Sequence, residues 1–275
     1  MMDQKVILIT GASSGMGYAA AQLFAKNGWQ VFAGARRVSK IPRAANIHAL
    51  SLDVTDSTSN QAFVATAVRE AGRVDVLLNN AGYGEYGPLE EVSMANARKQ
   101  LETNLLGAAE LAQLVLPTMR EQGTGRIVNV SSVGGDLYWP LGGWYHVAKH
   151  SLNVWSDVLD TEIRQFGLHS VVIEPGGTES SWSEIAMKNV TKNLKENSPY
   201  QPLVNGTMKF MQRLSGTASA ATAAELAKVF YRAATDARPK RRYYYSVTDR
   251  LMARSARVHA GTFHRLVTLV VKRSL

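Results

Sequence analysis

The chain has 275 residues, of which 45% are hydrophobic and 19% charged, and it contains no cysteine. This composition is typical of a globular protein with a sizeable core, and it excludes disulfide bonds and thiolate metal sites. The net charge of +9 comes from residues 238–275, which contain ten basic residues and one acidic residue. The positive charge is therefore a property of this C-terminal segment, because the rest of the chain is neutral.

Neither a targeting segment nor a metal site is predicted. The apolar run at residues 6–9 is too short for a signal sequence or for a membrane span, which needs about 20 apolar residues. The six histidines form no His-Glu-x-x-His pattern, and no carboxylate accompanies the neighbouring pair His146 and His150. We therefore expect a cytoplasmic protein without a bound metal.

The first predicted unit is a strand at residues 5–9, a glycine-rich turn and a helix. The turn, Thr-Gly-Ala-Ser-Ser-Gly-Met-Gly, places glycines at positions 11, 15 and 17. Glycines let the backbone approach a pyrophosphate, and the N-terminus of the following helix supplies unpaired N–H groups and a partial positive charge. A plain tight turn is the alternative. The flanking strand and helix favour phosphate binding.

The second predicted strand, at residues 30–34, is followed by Ala35, Arg36 and Arg37. Many NAD sites place an acid about 20 residues beyond the glycines, where it binds the ribose 2′-hydroxyl. Guanidinium groups at that point suit a 2′-phosphate instead. The alternative explanation is that both arginines are simply solvated. Their position at the end of the strand, where the two cofactors are discriminated, favours NADP(H) over NAD(H).

The remaining pattern alternates between strands and helices. Further strands are predicted at residues 47–52, 74–78, 126–131 and 170–174, with an edge strand at 242–247. Helices are predicted at residues 57–71, 93–121, 145–166 and 222–236, with Pro117 ending or kinking the second half of its helix. This alternation predicts an α/β fold, a single doubly wound (Rossmann-type) parallel sheet of about seven strands with helices on both faces.

The chemically suggestive residues share one edge of this sheet. Each follows the C-terminal end of a predicted strand: Gly11, Arg36, Asp53, Asn80, Ser132 and Gly176. Ligands of open α/β sheets bind at that edge. We therefore expect the cofactor there, and a single domain over residues 1–275.

The C-terminal third departs from the regular pattern. Residues 179–216 form a long insertion beside the expected site, either a mobile substrate lid or a pair of ordinary surface helices. Residues 248–275 are basic and amphipathic, as one or two helices interrupted at Gly261. This extension could pack on its own domain, enter an oligomer interface or rest on an anionic membrane surface. We favour the first two, and no motif indicates nucleic-acid binding.

A proton-donating pair is predicted at Tyr145 and Lys149. They are four residues apart and would share one face of a helix. A tyrosine has an ordinary pKa of about 10, too high for efficient proton exchange at neutral pH, and a neighbouring ammonium lowers it. Ser132, at the end of a predicted strand, could hold a substrate oxygen beside the phenol. The pair by itself also occurs by chance on helix faces.

Together these motifs resemble those of the short-chain dehydrogenases/reductases. They are the glycine turn at 10–17, Asn-Asn-Ala-Gly at 79–82, Asn104, Ser132, Tyr-x-x-x-Lys at 145–149 and Pro-Gly at 175–176. The resemblance covers residues 3–250, and the chain looks most similar to the 17β-hydroxysteroid dehydrogenase-like and retinol dehydrogenase-like group. It implies a homodimer or homotetramer.

The resemblance also implies roles for individual residues. Tyr145 would be the general acid in carbonyl reduction and the base in alcohol oxidation. Lys149 would lower the pKa of Tyr145 and hold the nicotinamide ribose. Ser132 would position the substrate oxygen, and Asn104 would hold a water that relays protons between Lys149 and solvent. The implied cofactor-binding residues are Gly11, Ser13, Ser14, Gly15, Met16, Gly17, Arg36, Asp53, Val54, Asn80, Tyr145, Lys149, Pro175, Gly176 and Thr178.

The expected pocket wall is apolar and aromatic. It draws on residues 84–86 and 134–139, Trp144, Trp182 and the lid methionines. This favours a hydrophobic ketone, aldehyde or secondary alcohol, although Glu85 and Asp136 could bind a polar substituent. The predicted function is an NADP(H)-dependent oxidoreductase. The alternatives are a non-catalytic NADP(H)-binding regulator or scaffold, and a membrane-peripheral lipid or retinoid-type dehydrogenase.

Overall fold

The computed structural model describes residues 4–179, 182–215 and 220–274. Its centre is one seven-stranded sheet with the order β3-β2-β1-β4-β5-β6-β7. The strands are β1 (Val6–Thr10), β2 (Gln30–Ala35), β3 (Ile47–Ser51), β4 (Val76–Asn79), β5 (Gly125–Val130), β6 (Leu168–Ile173) and β7 (Arg242–Tyr243). All neighbouring strands are parallel, which confirms the predicted fold class.

Ten helices surround this sheet in the described parts of the chain. They are α1 (Gly15–Lys26), α2 (Ser57–Ala71), α3 (Met94–Leu101), α4 (Gly107–Gln122), α5 (Gly143–Ile163), α6 (Trp182–Asn193), α7 (Gln201–Ser215), α8 (Ala223–Thr235), α9 (Val247–Val258) and α10 (Ala260–Ser274). Parallel strands are joined by crossover connections, and helices α1 to α8 lie in these connections.

The sheet buries both of its faces. Along β1, Ile7 and Ile9 point to a core formed with α1 and α8, whereas Val6 and Leu8 point to a second core formed with α2, α4 and α5. Successive side chains of a strand point to opposite faces, so a run of consecutive apolar residues is what a strand buried on both faces requires. Because β1 pairs with both β2 and β4, the order of the strands reverses beside it, and a crevice opens at the carboxyl ends of these strands.

Three boundaries differ from those predicted. The helix does not end at Pro117, because α4 continues to Gln122 with Leu111, Val115 and Met119 fully buried. The interruption lies earlier, in a π-helical turn at Glu102–Leu106. The C-terminal extension breaks at His259, and Gly261 lies inside α10.

The edge strand β7 is shorter than predicted because the chain turns directly into α9. Ser246 and Asp249 form a capping box there, in which each side chain bonds the other residue's backbone N–H. The insertion at 179–216 folds into α6 and α7, although residues 180, 181 and 216 lie outside the described residues. Among the helices described, none is both long and apolar enough to cross a bilayer.

Gly107 provides a test of the packing between α4 and the loop after β3. A Cβ built on Gly107 would lie 2.2 Å from the carbonyl oxygen of Val54, and backbone cannot give way as a side chain would. We expect Gly107→Ala to lower the free energy of unfolding by about 2 kcal/mol or more, as overpacking does. Urea denaturation measures this. Gly261→Ala is the matched control, since nothing lies within 4 Å of its Cβ position, and equal stabilities of the two variants would contradict the prediction.

Candidate active site

The glycine turn between β1 and α1 is closed against the end of β4. Gly11 has a φ of +68°, and a Cβ built on it would lie 2.9 Å from the Cα of Ala81. A Cβ on Gly17 would lie 2.5 Å from the Gly11 carbonyl oxygen and 2.5 Å from Asn80 Nδ2. Both positions therefore exclude any larger residue. The first N–H groups of α1 are left at the carboxyl edge of the sheet, where an anion can bind.

Two polar side chains hold this turn in place. The Thr10 hydroxyl accepts hydrogen bonds from the backbone N–H groups of Asn80 and Ala81, each at 2.9 Å. Asn80 Nδ2 donates to the Thr10 carbonyl at 2.9 Å, and the buried Asn80 Oδ1 has no partner within the described parts of the chain. No role is predicted for Thr10 from the sequence, although its position directly before the first glycine is a signal for one.

Charged and polar groups lie around Arg36, which follows the end of β2. Burial by itself would raise the pKa of Asp53. Hydrogen bonds from Thr55 and the positive charge of Arg36 outweigh this effect and lower that pKa below its ordinary value. Burial raises the pKa of Tyr83 to about 12, and Arg36 counteracts this rise. Arg36 is exposed, and within the described ranges no carboxylate forms an ion pair with it. Its guanidinium is available to an anionic ligand.

Other predicted cofactor residues line the same edge. In the turn, Ser14 and Gly15 are exposed, whereas Ser13 and Met16 are half-buried. Val54 is buried and its carbonyl accepts a 3.1 Å hydrogen bond from Asn60. The structure therefore places the turn and Val54 on one side of the crevice.

Tyr145 and Lys149 lie one turn apart at the start of α5. Their exposed fractions are only 7% and 5%. Ser132, just beyond β5, hydrogen-bonds the Tyr145 hydroxyl. The Ser132 hydroxyl also accepts from the backbone N–H of Gly134 at 3.0 Å. The structure thus brings the predicted serine, tyrosine and lysine together.

The fourth predicted catalytic residue joins them through the loop after β4. Lys149 Nζ donates to the Val130 carbonyl at 2.7 Å, which ties α5 to β5. A Cβ built on Gly82 would lie 3.2 Å from Asn104 Oδ1 and 3.6 Å from Lys149 Nζ. Asn104 sits in the π-helical turn, where it bonds the backbone N–H and carbonyl of Tyr83 at 3.1 and 2.9 Å. The π-helical turn therefore places a buried amide near the lysine, on the other side of Gly82.

The pKa values of the pair differ from the sequence-based expectation. Burial raises the pKa of Tyr145 to about 12, and the hydrogen bond with Ser132 opposes only part of that rise. Burial also lowers the pKa of Lys149 from 10.5 to about 8. The expected net lowering of the Tyr145 pKa by Lys149 is therefore wrong for the protein alone, since desolvation dominates. At neutral pH the phenol is protonated, and most of the lysine is charged.

Two histidines shape the segment that follows Ser132. His146 Nδ1 bonds the Gly134 carbonyl at 2.8 Å, and its Nε2 accepts from the Trp139 N–H at 3.0 Å. His150 Nδ1 bonds the Gly135 carbonyl at 2.8 Å. These histidines anchor the segment to α5. Burial lowers the pKa of His146, which favours the neutral ring that this arrangement requires.

The segment after β6 completes the edge. The Pro175 carbonyl accepts from the Val133 N–H at 3.0 Å and from the Ser132 hydroxyl at 3.4 Å. Thr178 forms an isolated bridge with Ala221. Gly176 contacts the beginning of α9, because a Cβ on it would lie 2.0 Å from an Asp249 carboxylate oxygen. Pro175 therefore lies beside Ser132, whereas Gly176 lies beside Asp249 of α9.

The insertion covers Tyr145. An apolar cluster joins the tyrosine to the loop after β4 and to both helices of the insertion; its buried members are Tyr86, Leu141, Tyr145, Ala186, Val190 and Val204. The Tyr86 ring packs against Tyr145 with 5.8 Å between the ring centroids. Asn193 fixes α6 to this loop, donating to Glu85 at 2.6 Å and to the Tyr86 carbonyl at 2.9 Å. Of the predicted aromatic wall, the side chain of Trp182 lies outside the described residues.

The two acids considered for a polar substrate group are both engaged within the protein. Glu85 is buried and accepts from Asn193 and Asn96. Asp136 pairs with Arg257 at 3.3 Å. Both carboxylates therefore already have partners within the protein, and the cluster around Tyr145 is mainly apolar.

Comparisons with known proteins agree with this geometry. Residues 5–191 match the family model described as short chain dehydrogenase. The chain is 32% identical to the 3-ketodihydrosphingosine reductase of Bacteroides thetaiotaomicron over 212 residues, 77% of each protein. A short-chain dehydrogenase from Streptomyces avermitilis has a TM-score of 0.80 and 29% identity, covering 99% of this chain and 98% of that one. A Burkholderia phymatum structure in complex with NAD shares the fold, with a TM-score of 0.80 and 24% identity, covering 94% of this chain and 95% of that one.

The pKa of Lys149 predicts a pH-dependent stability. Between pH 8 and 10.5 the native lysine is neutral while the unfolded one remains protonated, so the unfolded state binds more protons and the stability of the protein rises with pH. A difference of one pKa unit corresponds to about 1.4 kcal/mol, and the rise is therefore about 3 kcal/mol. Urea titrations from pH 7 to pH 10.5 should show that Lys149→Met lacks this rise. The exposed Lys26→Met is the control and should keep it; a rise that survives in Lys149→Met would contradict the assignment.

Proposed function

This chain belongs to the short-chain dehydrogenase/reductase family, and from that premise we propose that it is an NADP(H)-dependent oxidoreductase. It interconverts a hydrophobic ketone or aldehyde and its alcohol, with Tyr145 as the general acid/base. The observation that carries the proposal is the buried group of Tyr145, Ser132 and Lys149 at the carboxyl edge of a parallel sheet. A regulator or scaffold that only bound the cofactor would have no use for this group.

The cofactor, when bound, supplies or accepts the hydride. The chain's own residues orient the carbonyl and move the proton. Ser132 donates a hydrogen bond to the carbonyl oxygen, and Tyr145 transfers its phenolic proton to that oxygen as charge develops on it. A pKa of about 12 keeps Tyr145 protonated at neutral pH. This state suits the direction of carbonyl reduction, which consumes a proton.

Lys149 and Asn104 support the return of that proton. The charged Lys149 is held by the Val130 carbonyl and faces the amide of Asn104 across Gly82. A water bound by Asn104 would connect the lysine to solvent and reprotonate Tyr145 after each turnover. Lys149 would also bond the hydroxyls of the nicotinamide ribose, where its positive charge stabilises a developing phenolate.

The residues of the crevice fit a nicotinamide dinucleotide. The turn has open space at Gly15, where a built Cβ would meet nothing within 4 Å, and Asn80 carries a buried acceptor without a partner among the described residues. Arg36 supports NADP(H), because its guanidinium is exposed at the end of β2 and suits a 2′-phosphate. Asp53 and Val54 would flank the adenine, and Pro175, Gly176 and Thr178 would meet the nicotinamide.

The surroundings of Tyr145 support a hydrophobic substrate. Tyr86, Leu141 and Val190 pack around the phenol, and the nearby carboxylates are already paired. The insertion would act as the substrate lid, since α6 and α7 both contribute to this cluster. The likeness to hydroxysteroid and retinol dehydrogenases is consistent with such a substrate.

We also propose that the protein forms a homodimer or homotetramer through α5. Val147, Val154 and Val158 lie seven and four residues apart on this helix, with exposed fractions of 46, 51 and 50%. These spacings place the three valines on one face. An exposed apolar face of this kind is typical of a subunit contact.

Tyr145→Phe tests the catalytic assignment. The substitution removes the proton donor but keeps the ring packed against Tyr86. We expect turnover of NADPH with apolar ketones to fall by at least about 10²-fold, the usual contribution of general acid catalysis, while NADPH binding measured by fluorescence stays the same. Tyr231→Phe, whose ring packs against Phe24 away from the site, should retain full activity. Wild-type turnover in Tyr145→Phe would reject the mechanism.

Arg36→Asp tests the cofactor preference. A carboxylate at this position would repel the 2′-phosphate and bind the 2′-hydroxyl of NADH. We expect the ratio of kcat/KM for NADPH to that for NADH to fall by at least about tenfold, the effect of losing a charge-assisted bond worth about 1.5 kcal/mol. The exposed Arg43→Asp controls for the change in net charge and should leave the ratio unchanged, and an unaltered ratio in Arg36→Asp would exclude Arg36 as the residue that reads the phosphate.

A further inference from the structure

The outward face of α9 carries large apolar side chains, with the exposed Arg254 among them. Val247, Leu251 and Val258 have exposed fractions of 74, 61 and 64%, whereas Ala253 and Ala256 on the opposite face are buried. The three exposed residues are spaced by four and seven positions, so they form one stripe along the helix. A surface helix normally presents polar residues to solvent. Here small alanines pack inward and the large apolar side chains point out.

The next helix repeats this arrangement. Val267 of α10 is buried, whereas Leu266 and Leu269 have exposed fractions of 56 and 47%. Arg265 and Lys272 are exposed on the same helix. Both helices of the extension therefore combine outward leucine or valine with arginine or lysine.

A basic groove of about 770 Å³ lies beside α9, between this helix and residues 240–246. Its cationic side chains are Arg232, Lys240, Arg241, Arg242, Arg250, Arg254 and Arg257. Three of them have acidic partners: Arg241 and Arg242 pair with Asp157, and Arg257 pairs with Asp136. As far as the chain is described, no carboxylate pairs with the other four. Unpaired cations brought together in this way repel one another unless an anion binds.

We propose that α9 and α10 dock the protein on an anionic phospholipid bilayer. The valines and leucines would enter the boundary between headgroups and acyl chains, and the arginines of the groove would bind lipid phosphates. Arginine side chains can bury their stems while keeping the guanidinium among the headgroups. A second copy of the chain would bring two basic surfaces together, and a nucleic acid would leave the apolar stripe in water. An anionic membrane satisfies both features.

The docking surface lies next to the substrate-binding region. Arg257 of α9 pairs with Asp136, and His264 of α10 bonds the Tyr138 hydroxyl at 2.6 Å; both partners belong to the segment that follows Ser132. A mostly apolar groove of about 360 Å³ runs between Val267 of α10 and this segment, reaching Leu89. This placement indicates a substrate that is dissolved in the membrane, an inference that rests on the proposed function.

Vesicle flotation with the full-length protein tests the docking. We expect binding to vesicles of phosphatidylcholine mixed with phosphatidylglycerol and at least about tenfold weaker binding to phosphatidylcholine alone, because each basic residue near an anionic surface contributes about 1 kcal/mol. Salt should weaken the binding by screening it. At equal ionic strength, inorganic phosphate should weaken the binding no more than chloride does, since it cannot replace the apolar contacts.

Two variants locate the surface. Arg250→Glu/Arg254→Glu should weaken binding to the anionic vesicles by at least about tenfold, and Leu251→Ser/Val258→Ser should weaken it without changing its dependence on phosphatidylglycerol. Lys26→Glu/Arg69→Glu changes the net charge equally at exposed positions elsewhere and should bind as the wild type does. Circular dichroism checks that each variant is folded.

Three results would overturn the proposal: no flotation with anionic vesicles, equal loss in the control variant, or release by duplex DNA at matched phosphate concentration. The flotation assay needs neither cofactor nor turnover. A protein that floats but does not reduce ketones would therefore contradict only the proposed function. One that reduces soluble ketones but does not float would contradict only the docking.

Discussion

The site depends on a buried ammonium group held against a backbone carbonyl. Lys149 donates to Val130 at the end of β5, and this contact fixes the start of α5 over the edge of the sheet. Removing a charge from water is costly, which is reflected in the lowered pKa of this lysine. The fold therefore gives up some stability to keep a positive charge one helical turn from Tyr145. Every other predicted catalytic group is placed relative to this pair.

The loops at this edge are held by side chains whose partners are backbone groups. Thr10 ties the glycine turn to the end of β4, Asn104 holds the backbone of Tyr83, and His146 and His150 hold the segment after Ser132. Loop backbone near a crevice has few partners in secondary structure, so these side chains replace water and restrict the loops. The rigidity of the site comes from this set of bonds and the packed strands beneath it. The insertion closes it from above through apolar contacts with Tyr145 and Leu141 and through the hydrogen bonds of Asn193.

The C-terminal extension differs from the rest of the chain in which side chains it buries. Its inward contacts are small: Ala253 and Ala256 of α9 and Val267 of α10 pack on the domain. Its larger apolar residues and most of its arginines remain at the surface. An acid at the start of α9, Asp249, caps the helix and lies against Gly176, so the extension is also in contact with the segment expected to meet the nicotinamide.

The sequence by itself determined the fold class, the seven strands and the residues that meet at one edge of the sheet. Continuous apolar runs ended by glycine fix buried parallel strands, and a four-residue spacing fixes a shared helix face, because both depend only on local geometry. The tertiary structure decided the rest. The pKa of Tyr145 is raised because segments remote in the chain bury the phenol. Glu85 and Asp136 already have partners in the protein, and these partners, Asn193 and Arg257, are distant in the chain. The continuation of α4 through Pro117 and the outward valines of α9 were likewise decided by packing, since desolvation, pairing and burial depend on neighbours that sequence spacing does not specify.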